Sequence, residues 1–349
     1  MVSIGVDAHK KVLVAVALDE SGRVAGRWEG GNGQRDWARF LAWSNSLGSD
    51  ITVGIEGAYS YGRGLGQWLC ARAVRVYDIN PRWTAAFRRT ARRQHKSDAF
   101  DAEAVARIVQ RDGADLPEVF ADDVSSTIDL LVGERDAALA ESVRLRNQLH
   151  AHLFHLDIQV KTLESEAALE RVLGSLPDSP EGHAKVRVHA VRLLVERCRL
   201  ALAQVKSLTA EIEGLADAHY APLTRIYGVG KLLAGTIGGI LGPSGRFTSE
   251  AQLAAYAGAA PLEASSAGKT RHRLNRTGCR KLNAVLHMIA LSQIRSRSSP
   301  GHVYLQRRRT EGKTFREALR ALKRYLARAV FALWRECFPR QAALVQQRC

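Results

Sequence analysis

Cysteine is scarce in this 349-residue chain, and the five present stand singly at Cys70, Cys198, Cys279, Cys337 and Cys349. They form no CxxC pair and no metal-ligand spacing, which excludes a zinc ribbon or a disulfide scaffold and reads as the reduced thiols of a cytoplasmic protein. Long hydrophobic runs are also missing. The longest, LLAGTIGGILG from Leu232, is too short and too glycine-rich to span a bilayer, so no membrane role is expected. The opening MVSIGVDAHKKVLVAVALDE lacks the basic start and following apolar run of a signal peptide. Acidic side chains are in short supply too, 35 against 51 Lys and Arg, giving a net charge of +16. So large a one-signed excess goes beyond what solubility needs and points to a polyanion, most often nucleic acid. An apolar content of 46% excludes a disordered chain.

The length predicts two or three domains, and the composition changes along the chain agree. Residues 1–115 read as an α/β domain. Apolar runs Val2 to Val6, Val12 to Leu18 and Val24 to Trp28 predict three strands joined by tight turns. A helix near Gln34 to Ser46 follows, then a strand Ile51 to Ile55, a helix near Gly62 to Ala73 and a strand Val74 to Ile79 ended by Pro81. Ser97 suits the N-cap of a helix from Asp98 to Gln110. Strands first and alternation afterwards is the order of an RNase-H-like sheet.

Residues 122–218 are helical in pattern. Val191, Leu194, Cys198, Ala201, Val205, Leu208, Ile212 and Leu215 recur at spacings of three and four, which is a heptad seam and predicts a coiled coil. A turn at Gly174 to Pro180 folds the two long helices into an antiparallel hairpin; the seam then serves either that hairpin alone or a dimerisation stalk. From Pro222 to Cys349 basic residues rise again. There Leu223 to Lys231, with its Gly-Val-Gly turn, has the form of a helix-hairpin-helix that offers backbone amides to phosphate, flanked by Arg225 and Lys231. A later helix places Phe315, Leu319, Leu322, Leu326, Val330 and Leu333 inward and Arg316, Arg320, Lys323, Arg324 and Arg328 largely elsewhere, a surface suited to nucleic acid.

Four carboxylates stand out. Asp7 ends the first strand, Glu56 ends the fourth, and Asp98 and Asp101 share a face of the helix that Ser97 starts. Each alone also reads as a cap or a solvated charge. Together, at those ends, they suit a site for hard divalent cations, whose charge carboxylate oxygens neutralise while positions stay open for phosphate and water. Just upstream, Arg82, Arg88, Arg89, Arg92, Arg93, His95 and Lys96, interrupted by Trp83 and Phe87, form either a solvated face or a surface that guides a phosphate backbone. Further along, Ser265 and Ser266 stand among small residues in AAPLEASSAGK, followed by Lys269, Arg271, His272, Arg273, Arg276, Arg280 and Lys281. A serine there reads as an ordinary turn residue, or as a nucleophile on a phosphodiester, which needs such cations for the charge that develops on phosphoryl oxygens.

These segments resemble one family. GVDAHK at 5–10, GIEGAYSYG at 54–62, INP at 79–81 and KSDAFDAEAVAR at 96–107 resemble the N-terminal DEDD domain of insertion-sequence transposases of the IS110 type, relatives of the pilin-gene invertase. IYGVGKLLA, YAGAAPLEASSAGKTRH and LKRYLAR resemble that family's C-terminal serine transposase domain. The resemblance implies that Asp7, Glu56, Asp98 and Asp101 form a magnesium-binding tetrad in a Holliday-junction-resolvase-like fold. It also implies that Ser266, five residues after Pro261, is a nucleophile forming a phosphoserine link to DNA. Further implications are dimers and tetramers in which one protomer's carboxylates work beside another's serine, and a structured non-coding guide RNA that pairs with donor and target double-stranded DNA. Two positions depart from the family pattern: Ala267 stands where glycine usually follows the nucleophile, with Ser265 just before it, and Cys279 stands where Asn or Asp is common.

Three functions follow for test: an RNA-guided recombinase using carboxylates and serine, a metal-dependent junction nuclease using carboxylates alone, and a non-catalytic nucleic-acid scaffold whose acids are merely caps.

Overall fold

The computed structural model describes residues 1–90, 97–260, 262–263, 272–273 and 278–338. The chain forms two compact units, Met1–Asp122 and Asp123–Cys349.

In the first unit β1 (Val2–Ala8), β2 (Val12–Leu18) and β3 (Val24–Gly31) are followed by α1 (Gln34–Leu47), β4 (Ile51–Glu56), α2 (Arg63–Cys70), β5 (Arg75–Ile79), α3 (Pro81–Thr90) and α4 (Asp98–Asp112). The sheet order is β3-β2-β1-β4-β5, with β1, β4 and β5 parallel and β2 antiparallel to both its neighbours. This mixed order is that of an RNase-H-like sheet, as the sequence predicts. Strand β1 is central and buried along its whole length, whereas β3, at the edge, alternates exposed with half-buried positions.

Side chains alternate across a strand, so residue parity decides what each face carries. Ile4 and Val6 of β1, Val53 and Ile55 of β4 and Leu13 and Ala15 of β2 join Phe40 of α1 and Leu65 and Leu69 of α2 in one core. Val16 and Leu18 face the other way, against Ala102 and Ala106 of α4. Gly5 and Gly54 are register partners on that second face. With no β-carbon on either, α4 lies almost on the sheet backbone: a β-carbon on Gly54 would meet Val109 Cγ2 at 2.4 Å. As predicted, Ser97 starts α4, its hydroxyl accepting the Phe100 amide.

Helix α3 is a finding that the reading of its segment as a run of charge missed. Pro81 occupies its first turn, where a missing amide costs nothing, and the Asn80 side chain accepts from the Arg82 amide at 2.9 Å.

The second unit comprises α5 (Val124–Phe154), α6 (Glu166–Gly174), α7 (Gly182–His219), a 3-10 turn Ala221–Arg225, α8 (Lys231–Leu241), α9 (Glu250–Tyr256), the two-residue strands β6 (Leu262–Glu263) and β7 (His272–Arg273), α10 (Arg280–Arg295), α11 (Pro300–Thr310) and α12 (Phe315–Glu336). Helices α5 and α7 run antiparallel. Leu145, Leu149 and Leu153 share a core with Val191, Leu194 and Cys198, while Ile128 and Val132 share another with Ile212 and Ala216. Val191, Leu194, Cys198, Ala201 and Ile212 of the seam foreseen along α7 are therefore covered within the chain, the first four in part by Leu169 and Val172 of α6, a helix not foreseen in the sequence. Val205 and Leu208 of that seam join neither core. The end of α7 continues into the larger core, built with α8, α10 and α12 around Tyr220, Leu286, Leu326 and Trp334. Among the described residues no helix is long and apolar enough to cross a membrane.

Candidate active site

Parity and register bring the predicted acids together. Asp7 and Glu56 are register partners at the C-terminal ends of parallel strands, on the face that carries α4. The tight packing over Gly5 sets α4 so that its first turn, with Asp98 and Asp101, stands over those strand ends. Asp7 and Asp101 are buried, at 7% and 4% exposure, and the Asp98 side chain is half exposed. His9, in the turn after β1, joins them: its Nε2 lies 3.4 Å from Asp7 Oδ2 and 3.5 Å from Asp98 Oδ2. Asp7, His9 and Asp98 can each direct one ligand atom at a common point, all within 4.8 Å of one another.

Burial pushes the Asp7 carboxyl up to about 6; the nearby His9 opposes this, and Glu56, Asp101 and Asp98 add to it in that order. Asp7 thus lies within the field of each of the other three acids of the predicted tetrad. Negative charge crowded into a half-buried edge is costly until a cation offsets it, and oxygen donors of this kind suit a hard divalent ion. The site can accommodate a divalent metal by the chemistry of its donor set.

Two further residues build this site and were not singled out in the sequence. Thr84 of α3, fully buried, donates to Glu56 Oε1 at 2.8 Å, with the Pro81 carbonyl as a second acceptor at 2.9 Å. Asn32 donates to the carbonyls of His9 and Tyr61, both at 2.9 Å, and accepts from Trp37 Nε1 at 3.0 Å, which ties the turn bearing His9 to the loop after β4. The signals were there, His9 within GVDAHK and Pro81 three residues before Thr84, but their roles arise only from how the chain closes.

The basic and serine residues are placed differently. Arg88 and Arg89 belong to α3 and Arg273 to β7, with side chains outside the described residues. Arg92, Arg93, His95, Lys96, Ser265, Ser266, Ala267, Lys269, Arg271 and Arg276 lie outside the described residues altogether. Lys231 is described: its exposed ammonium lies 3.0 Å from Asp217, and Arg225 pairs with Glu336. On α12 Arg324 and Arg328 both pair with Glu250; Arg328 stays exposed as the outward-facing reading has it, whereas Arg324 is partly buried. The stem of the serine segment is well tied. Leu262 and Glu263 pair with Arg273 and His272, the Cys279 amide donates to the Tyr256 carbonyl at 2.6 Å, and Asn283 Nδ2 donates to the Ala257 carbonyl at 2.7 Å.

What this fold and acidic edge define is an RNase-H-like domain with a carboxylate cluster fit for a divalent metal, followed by a mainly helical unit. Comparison with known proteins narrows the class. Residues 4–156 match a transposase family model for the DEDD domain of IS110 elements, and residues 220–306 match the model described as "Transposase IS116/IS110/IS902 family". Between them these cover more than half of the chain, which belongs to the IS110 family of insertion-sequence transposases. The chain is 34% identical over 137 residues to the "Insertion element IS110 uncharacterized 43.6 kDa protein" of Streptomyces coelicolor, covering 38% of this chain and 33% of that protein. It is 26% identical over 214 residues to the "Transposase for insertion sequence element IS1328" of Yersinia enterocolitica, covering 60% of each. The chain thus matches a third and three-fifths of the lengths of these relatives. Among solved structures, "T. thermophilus RuvC in complex with Holliday junction substrate" aligns with 34% of this chain and 99% of its own, at 18% identity and a TM-score of 0.27. At that score the strand order, not the superposition, carries the fold.

Proposed function

We propose that this chain is a DNA transposase that cuts and rejoins strands of an insertion sequence, using the carboxylate edge of its first unit and a serine of its second. What supports this reading is that Asp7 and Glu56 are register partners at the ends of β1 and β4, with ligand atoms of His9 and Asp98 within 4.8 Å of Asp7. Those four acids, with His9 beside them, hold the ion, and Thr84 fixes the Glu56 carboxylate. Magnesium, when bound there, supplies positive charge to phosphoryl oxygens.

Ser266 is the assigned nucleophile, with Ser265 as the competing hydroxyl. The serine oxygen forms a bond to phosphorus as the bond from phosphorus to a deoxyribose oxygen breaks, and the serine proton leaves with that oxygen as a hydroxyl. A hydroxyl of the second strand then attacks the phosphoserine, joins that strand and returns its proton to the serine. Arg88, Arg89, Arg92, Arg93, Lys96, Lys231, Lys269, Arg271, Arg273 and Arg276 are assigned to phosphate contacts, which the excess of positive charge supports. The turn before α8 acts as a helix-hairpin-helix and α5 with α7 as a coiled-coil arm. The protein works as a dimer or tetramer in the cytoplasm, directed to double-stranded donor and target DNA by a structured RNA.

The test uses the purified full chain, a transcript of the DNA flanking the reading frame, both DNA partners and magnesium. Joined product and a DNA-linked protein band are expected, with Asp7→Asn losing both and Ser266→Ala losing the linked band. If Ser265→Ala and Ser266→Ala each still cut while Asp7→Asn does not, the protein is instead a metal-dependent junction nuclease. If Asp98→Asn leaves every activity intact, the acids are caps and the catalytic reading fails.

A further inference from the structure

In the second unit α11 and α12 line a cleft of about 720 Å³ with Tyr304, Arg307, Arg308, Arg324, Tyr325 and Arg328 on its walls. Tyr304 and Tyr325 are stacked, with ring centroids 5.3 Å apart and planes 22° from parallel. The Arg307 and Arg308 guanidiniums sit 5.2 and 5.1 Å from the Tyr304 ring centre. Tyr325 is 44% exposed, a large aromatic surface left to solvent at the end of a stack.

The charges do not balance. Arg324 and Arg328 share Glu250 at 3.3 and 2.7 Å, and Arg307 and Arg308 share Glu311 at 3.8 and 2.8 Å. Four guanidiniums thus face two carboxylates, and Arg324 Nη1 is buried with no hydrogen-bond partner among the described residues. The Arg307 and Arg328 side chains, 63% and 66% exposed, present cationic groups to solvent, which favours an anionic acceptor in the cleft.

We infer that this cleft binds unpaired nucleotides of a single-stranded nucleic acid, with a base stacked on the Tyr325 face and the phosphates held by the surplus arginines. A planar base extends a stack that two tyrosines have begun, and arginines already poised over aromatic rings suit both base and phosphate. In a duplex both faces of each base are covered, so the aromatic platform selects for unpaired strands. The volume is that of a site for a small ligand rather than a groove for a helix. RNA and displaced DNA share this chemistry. The inference rests on the nucleic-acid reading of the chain but not on its catalysis.

Fluorescence anisotropy of the full chain with three labelled probes of equal length tests it: an oligouridine, an oligodeoxythymidine and a mixed-sequence DNA duplex. Tyr325→Ala and Arg307→Ala should weaken single-strand binding by roughly five- to a hundredfold, while Tyr325→Phe keeps it and duplex binding holds. A loss confined to the RNA or the DNA arm names the source of the occupant, and a loss in both leaves the shared chemistry. Arg297→Ala, outside the cleft, serves as the control for general charge, and matched melting temperatures show that the variants are folded. Single-strand affinities unchanged in Tyr325→Ala, or a duplex affinity that falls by the same factor, would overturn the cleft alone. If the unsubstituted chain binds none of the three probes, the nucleic-acid reading of the whole protein falls, and the cleft with it.

Discussion

Gly5 of β1 lies so close beneath Ala102 of α4 that a β-carbon on Gly5 would stand 2.1 Å from the Ala102 carbonyl oxygen and 2.2 Å from the Ala106 amide nitrogen. The neighbours are backbone and cannot swing aside. Gly5→Ala must therefore lift α4 off the sheet, and with it Asp98 and Asp101 away from Asp7. The expected outcome is a loss of about 3 kcal/mol or more of stability in the first unit, read by chemical denaturation, together with weaker binding of magnesium by calorimetry. Unchanged metal affinity in a destabilised variant would show that the height of α4 does not set the site.

Thr84 and Glu56 make a second, finer test. The Thr84 hydroxyl is fully buried and its proton is shared between Glu56 Oε1 and the Pro81 carbonyl. Thr84→Val keeps the shape and removes the hydroxyl. Stability should fall by about 1 kcal/mol, since both acceptors can find other donors, while metal-dependent strand cleavage falls roughly tenfold or more because Glu56 is free to turn. Thr84→Ser should restore cleavage, which a purely packing role for Thr84 would not allow.

The Asp7 carboxyl gives a pH dependence. Its ordinary value of 3.8 is pushed up to about 6 by burial and by the neighbouring acids. A carboxyl whose value is higher in the folded state favours folding below 3.8, and that advantage is lost as pH rises through about 6. In the metal-free protein Asp7→Asn should thus raise stability at pH 8, by on the order of 2 kcal/mol, and leave it nearly unchanged at pH 4. Magnesium should reverse the ranking at pH 8, because only the unsubstituted site gains from the ion. Thermal melts with chelator and with magnesium check both signs.

Much of this was legible in the sequence, for identifiable reasons. Asp7 and Glu56 could be read because strand ends and parity are local properties, and Ser97 because a cap is recognised from its own residue and the next few. Helix α3 was hidden by its arginines, which drew attention to charge and away from Pro81 as a helix start. The seam of α7 was visible as a face, but not its cover by α6. Phe315 was read as facing inward yet is 43% exposed, because it sits at the first position of α12, before the helix packs. Arg324 and Arg328 reach Glu250 across more than seventy residues of sequence, a pairing no local pattern contains.

The stem of the serine segment supplies the last test. Asn283 of α10 donates to the Ala257 carbonyl at 2.7 Å and accepts from Lys323 Nζ of α12 at 2.5 Å, and burial holds the Lys323 ammonium below its ordinary value. One amide thus ties the end of α9, where the segment departs, to a half-buried charge. Asn283→Leu leaves that charge without its acceptor and should cost about 2 kcal/mol, whereas Lys323→Met in the same background should recover part of it. The nonadditivity of this cycle measures the tie directly. If the tie positions the serines, the single Asn283→Leu variant loses strand joining while binding magnesium as before, because the carboxylate edge belongs to the other unit. Normal joining at normal rate in that variant would mean that the stem holds its shape through β6, β7 and the Cys279 amide alone.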